Sequence, residues 1–267
     1  LQEPTVKRTG ALLVGKATKD KISSIGFTDM PRDTGVNIHA EGDKEKTPAK
    51  NEGKYASYGV VSAEEIEREL TPSFDRFQAG DILFTTYTPY VALSDPLRGK
   101  ISALDCLPAI VMDVTIDNRN NTDSCVAFFG FVHRDNKRLY AMIDGHKKSL
   151  QYRNEWAFSA KGDDVYIVRG LDAAQHLKNG TQMIQQNGPQ FLCTQVAAGE
   201  IKTLTVTFGV YATEGSNGHF ATKYYYTTYY PSLDSVMDAS LQYADQIRLR
   251  SIEVDAELVH DYQDEKR

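Results

Sequence analysis

Between about residues 66 and 208 the chain alternates, apolar then polar, in short runs rich in Val, Ile, Thr, Tyr and Phe. The clearest are "DILFTTYTPYVAL" (81–93), "AIVMDVTID" (109–117), "CVAFFGFV" (125–132), "DVYIVRG" (164–170) and "IKTLTVTFGVYA" (201–212). Period two places successive side chains on opposite faces of a strand, and turn residues such as Ala79-Gly80-Asp81 and Ala198-Gly199-Glu200 separate the runs. Many short strands with turns between them predict an all-β fold, a large antiparallel β-sandwich. A parallel sheet would need regular helical crossovers, which this region lacks.

Three segments depart from that rhythm. Residues 32–57, "RDTGVNIHAEGDKEKTPAKNEGKYAS", are polar and without period, the pattern of a long surface excursion. Ser62-Ala63-Glu64-Glu65 has capping-box spacing, yet Ile66, Arg68 and Leu70 alternate as an edge strand would, and the strand reading is preferred. After Pro231 the period becomes helical, with Leu233, Val236, Met237, Ser240, Leu241, Ala244 and Ile247 recurring at three and four residues. Ser232 is placed to cap that helix, and Asp234 lies in its first turn, where a negative charge suits the helix dipole. The stripe weakens at residues 248–251. A helix continuous to Tyr262 would be about 45 Å long, well beyond a sandwich strand of roughly 20 Å. The sequence therefore divides into a sandwich over 1–230 and a C-terminal helix over 231–267 that reads equally as a connection to a further domain or as a frayed end.

Composition narrows the partners. The 267 residues are 41% hydrophobic and 25% charged, as in a globular protein, and the net charge of −6 comes without any Lys/Arg cluster. Nucleic acid and anionic membrane, both bound through basic patches, are excluded as main partners. Cys106, Cys125 and Cys193 are odd in number and far apart, so they make neither a disulfide framework nor a CxxC site and read as buried thiols. No apolar run reaches the roughly 20 residues of a membrane span. Localisation stays open: the cytoplasm is favoured, while the periplasm or secretion would follow from a signal peptide removed before Leu1.

Several candidate motifs fail on chemistry. "GALLVGKAT" (10–18) nearly spells a phosphate-binding loop, but Ala17 replaces the hydroxyl that would hold magnesium, and its apolar interior suits a buried strand. The polar knot in "VMDVTIDNRNNTDSCVAFFGFV" (111–132) fails as a calcium loop in both registers. Counted from Asp117, positions three and six are Arg119 and Thr122, and counted from Asn118, positions six and twelve are Asp123 and Phe129. It reads instead as a hairpin turn, with Asn and Asp bonding to nearby amides. The six histidines show no HExxH spacing, "EGSNG" (214–218) is no nucleophile elbow, and no metal or cofactor is called for. The 36 acidic residues are too many to single out a glycosidase pair. The run "KYYYTTYYP" (223–231) is more distinctive: as a final strand its alternate tyrosines would serve equally as core or, through Tyr224, Tyr225, Tyr226 and Tyr229, as sugar-stacking side chains.

The segments "EEIEREL", "FDRFQAGDILFTTYTPYV", "LPAIVMDVTIDNRNNTDSCVAFFGF", "AAGEIKTLTVTFGVY" and "KYYYTTYYPSLDSVMDASLQYADQIRLRS" occur in the order and spacing of the N-terminal domain of glycoside hydrolase family 52, the bacterial β-xylosidases, which the chain resembles over about residues 64–251. A fainter likeness reaches family 116, of β-glucosidase type. The resemblance implies a supersandwich-like β-sandwich, a linker helix and then an (α/α)6 barrel that carries both catalytic carboxylates, so it assigns no catalytic residue here. It implies a carbohydrate substrate and, as partner, the barrel of the same parent chain. In two places the sequence departs from the family: "VKRTGALLVG" replaces a His-rich opening, and Thr228 stands where a basic residue commonly follows Tyr-Thr. The alternatives are a free-standing carbohydrate-binding sandwich and a sandwich-type sugar enzyme such as an epimerase.

Overall fold

The computed structural model describes residues 10–28, 56–88, 102–133, 139–185, 187–217 and 220–265. Most of the polar excursion over 32–57 and the end of the 81–93 run fall outside them. Two large sheets stack face to face. The first has six strands, β1 (Gly10–Ala17), β2 (Ile22–Thr28), β7 (Cys125–His133), β11 (Tyr166–Arg169), β12 (Met183–Ile184) and β13 (Gln190–Val196), in the order β12-β11-β13-β7-β1-β2. The second has eight, β3 (Glu67–Leu70), β4 (Phe74–Ala79), β5 (Ile82–Tyr87), β6 (Ala109–Asp117), β8 (Leu139–Asp144), β9 (Lys147–Tyr152), β10 (Trp156–Lys161) and β14 (Ile201–Val210), in the order β3-β4-β5-β6-β14-β10-β9-β8. β15 (Glu214–Asn217) and β16 (Phe220–Lys223) form a separate hairpin. Every pairing within the large sheets is antiparallel except β11 with β12. The expected sandwich is therefore present.

Alternation decides which side chains meet between the sheets. Val14, Ile25, Phe129 and Leu192 from one sheet pack on Phe84, Val114, Leu150 and Val206 from the other. The opposite faces are covered too. Ala11, Leu13, Phe128 and Phe191 on the outer face of the six-stranded sheet lie under Tyr58 and helix α1 (Ala173–Asn179), which inserts Ala173 and Leu177. Tyr87, Ala109 and Val111, outside the eight-stranded sheet, lie under helices α2 (Leu233–Gln242) and α3 (Ala244–Glu265). Double coverage explains why "VAFFG" is apolar without a break: Phe128 and Phe129 point to opposite faces and both are 0% exposed.

The A-G-D turn is the expected hairpin. β4 and β5 pair directly, and Gly80 makes the reversal at φ +58°, left-handed geometry that glycine adopts without strain. The polar knot over 118–124 is not a hairpin turn, since β6 and β7 belong to different sheets and do not pair. Asn118, 1% exposed, is the pivot of this crossing. Its Nδ2 donates to the carbonyls of Asp123 and Ala197, each at 2.9 Å, its amide donates to Glu200 O, and its carbonyl accepts from Gly199 N. The β13-to-β14 connection also crosses between sheets, and Asn118 ties the two crossings together.

"GALLVGKA" is strand β1, as its apolar interior predicts, and Lys16 is ion-paired with Asp81 beside the A-G-D turn. The ambiguous segment holds both readings in sequence: Glu65 caps Ser62 over a short 3-10 turn, Ala63–Glu65, before edge strand β3. Ser232 caps α2 as expected, its hydroxyl accepting from Ser235 N. The helical run is broken at Tyr243, whose ψ of 6° departs from helical values, so it forms two helices rather than one. No helix among the described residues is long and apolar enough to cross a membrane.

Candidate functional site

The tyrosine run is not a strand. Tyr224 leads into a 3-10 turn, Tyr225–Thr228, closed by Thr227 and Thr228 hydroxyls that donate to the carbonyls of Tyr224 and Tyr225 at 2.7 and 2.8 Å. Threonine hydroxyls compete with a sheet ladder for backbone groups, and Pro231 cannot donate to a neighbouring strand. Three residues per turn, in place of two, send the tyrosines in different directions.

Tyr226 is structural. Its phenol donates to Ala212 O at 2.8 Å and accepts from Ala212 N at 2.6 Å, pinning the turn to the end of β14. Tyr230 is buried and donates to Ala103 O. Tyr225 and Tyr229 meet edge to face at 5.9 Å, and the hydrogen bond with Tyr225, then burial, raise the Tyr229 phenol above its ordinary range. Tyr224 stacks on Tyr226 at 5.6 Å and 19° and is 45% exposed, while Tyr225 is 52% exposed.

Tyr224 and Tyr226 border a cleft of about 460 Å³, completed by Glu155, Val210, Tyr211 and Ala212. Tyr211 is fixed from both ends, its amide donating to Glu155 O and its phenol to Pro231 O. Glu155 sits in the β9–β10 turn with Arg153 Nη1 at 3.3 Å. The pairing spacing of the sequence did not point to Glu155; only the fold brings it against the tyrosine turn. Larger clefts exist, including one of about 550 Å³ around Gln78, Thr115, Asp117 and Asn121 and one of about 680 Å³ around Lys147 and Asp238, but no Tyr, Phe or Trp lines them. In the first, hydrogen bonds from Arg119 hold the Asp117 carboxyl down at about 2.

No group of three or more His, Cys, Asp or Glu among the described residues is arranged to hold a metal. Cys125 and Cys193 are buried and unpaired with one another, and burial pushes the Cys125 thiol up to about 11. A thiol kept protonated is a poor nucleophile, so these two serve as core.

The family model for glycosyl hydrolase family 52 matches residues 9–267. The chain belongs to that family. Two relatives, both named beta-xylosidase and both from Geobacillus stearothermophilus, are 30% identical over 205 residues and 24% identical over 187 residues. These matches cover 70% and 67% of this chain but only 28% and 30% of the relatives. This family 52 chain thus spans less than a third of the curated relatives it matches.

Proposed function

We propose that this chain is the non-catalytic N-terminal domain of a bacterial retaining glycoside hydrolase of β-xylosidase or β-glucosidase type. Residues 1–230 form its sandwich, and residues 231–267 lead to the catalytic (α/α)6 barrel of the same polypeptide. The domain buttresses that barrel and shapes the rim of the sugar site. The coverage carries the reading: the family match takes in nearly the whole chain, yet relatives named beta-xylosidase are matched over only 28% and 30% of their length. The course of α3 supports it. This helix runs from β14 past β6 and β5 to the turn before β4, leaving Leu249 and Ile252 exposed at 61% and 49%.

The 267-residue chain is expected to hydrolyse no aryl β-xyloside or β-glucoside, and its reading frame to continue past Arg267 into a helical domain. Turnover by the isolated chain, or a stop codon after Arg267, overturns the reading. The exposed Tyr224 and Tyr225 rings favour a second reading, a free-standing carbohydrate-binding module, which the stop codon together with sugar binding would support.

A further inference from the structure

Of the four tyrosines, Tyr224 alone combines an exposed side chain with a place in a cleft that Glu155 also lines. We infer that this cleft, between the β9–β10 turn and the tyrosine turn, is a subsite for a single pyranose ring, with Tyr224 as its stacking platform and Glu155 as the acceptor for sugar hydroxyls. The inference deepens the proposed function, since it takes a sugar as the ligand class from that reading.

The chemistry of its lining suits a pyranoside. A pyranose has an apolar C–H face and a belt of hydroxyl donors. Val210 and Ala212 are its apolar lining, and Tyr211, Tyr224 and Tyr226 its aromatic lining. The volume of about 460 Å³ lies within the roughly 300–1,000 Å³ of ordinary small-molecule sites. Tyr226 has both its hydrogen-bonding roles filled by Ala212, so it contributes by holding the Tyr224 ring in place. Tyr225 is engaged with Tyr229, outside the cleft.

Glu155 is poised for the polar half of recognition. Arg153 binds Oε1 only, and no donor among the described residues reaches Oε2. A carboxylate at a half-exposed rim accepts hydroxyl hydrogen bonds without a large desolvation cost. Arg153 keeps φ at +49°, a left-handed angle that side-chain-bearing residues seldom adopt, and its guanidinium lies over Tyr152 at 5.3 Å. That strained turn sets Arg153 and Glu155 side by side.

The test is an NMR titration of the labelled 267-residue chain with methyl β-D-xylopyranoside and, in parallel, methyl β-D-glucopyranoside. Saturable shifts are expected at residues 155, 210–212 and 224–226. Glu155→Gln, which leaves a neutral acceptor in place of a charged one, should weaken binding about tenfold, and Tyr224→Ala, which removes the stacking ring, by a similar factor. Tyr225→Ala should leave affinity unchanged, and unaltered unfolding curves for Glu155→Gln exclude misfolding as the cause. Shifts confined to other surfaces, no saturable shift up to about 100 mM, or Glu155→Gln binding as well as the parent chain overturns the subsite. Such a failure leaves the proposed accessory role standing, whereas turnover of aryl xylosides by the chain removes that role whatever the cleft binds.

Discussion

α2 meets the eight-stranded sheet through Leu233, Val236 and Met237, whereas α3 meets the same sheet first through Ala244 and Ile247 and then through Arg248, Ser251 and Asp255. Gly209 lets α2 approach closely, since a Cβ there would stand 2.7 Å from Met237 Sδ and 2.9 Å from Val236 Cγ1. The α3 contacts are directional instead. Arg248 forks onto Asp113 at 2.7 and 2.9 Å and lies over the Tyr87 ring at 5.7 Å. Ser251 Oγ donates to Thr88 O at 2.7 Å, and Asp255 accepts from Thr71 and from Ser73 N. An apolar contact loses its whole benefit when water enters, while water can replace part of a polar contact. The outer half of α3 should therefore open at lower free energy than α2 while being fixed in register more strictly.

Asp113 is only 6% exposed, so removing its guanidinium partner gives the largest effect. Arg248→Met should destabilise by about 3–5 kcal/mol in chemical denaturation, because it strands a buried charge, and adding Asp113→Asn should recover much of the loss. If the double variant is no better than the single one, α3 is held by packing, and the contrast with α2 fails. Met237→Ala, which empties a fully buried site, should cost about 2–4 kcal/mol and speed amide exchange through α2. Asp255→Ala should cost about 1–2 kcal/mol and speed exchange in α3 beyond Ser251 while α2 keeps its protection. Equal acceleration of both helices would show that they open as one unit.

The same contrast accounts for what the sequence reveals. The α2 stripe is legible because its partners are apolar, and it weakens at residues 248–251 because Arg248, Ser251 and Asp255 continue the buried face with polar side chains. Alternation located β6 to the residue, but period two reports faces and not partners, so nothing local tells that β6 and β7 part into different sheets. That is decided by Asn118, bonding to carbonyls as far away as Ala197. The tyrosine run stood out in the sequence, equally as core or as surface aromatics, and was misleading as a strand, because the threonine hydroxyls that close its turn carry no periodic signal. α1 was missed: a seven-residue helix ending at left-handed Gly180 is too short for a helical period to stand out. Glu155 could not be found at all without the fold that brings residues 155 and 224 to one cleft.

Alkaline pH offers the gentlest separation of the two helices. Lys147, 8% exposed, reaches Asp234 Oδ1 at 2.5 Å and Asp238 Oδ1 at 2.7 Å, so one β9 ammonium fastens the first two turns of α2. Burial alone would pull its pKa down, but the two carboxylates outweigh burial and raise it. A lysine raised in the folded state gives a contribution that is complete below its unfolded value of about 10.4 and fades as pH climbs through the higher folded one. The carboxylates are exposed, which limits the contribution to about 1 kcal/mol or less. The guanidinium that fastens α3 does not titrate in this range, and burial pushes the Tyr87 phenol beside it upward as well. The stability difference between the parent chain and Lys147→Met should therefore hold steady to about pH 10 and then shrink, with exchange rising first at the start of α2 and not at Arg248. A difference that already shrinks as pH rises from 7 to 9, or exchange rising first in α3, would reverse the assignment of which helix rests on a titrating contact.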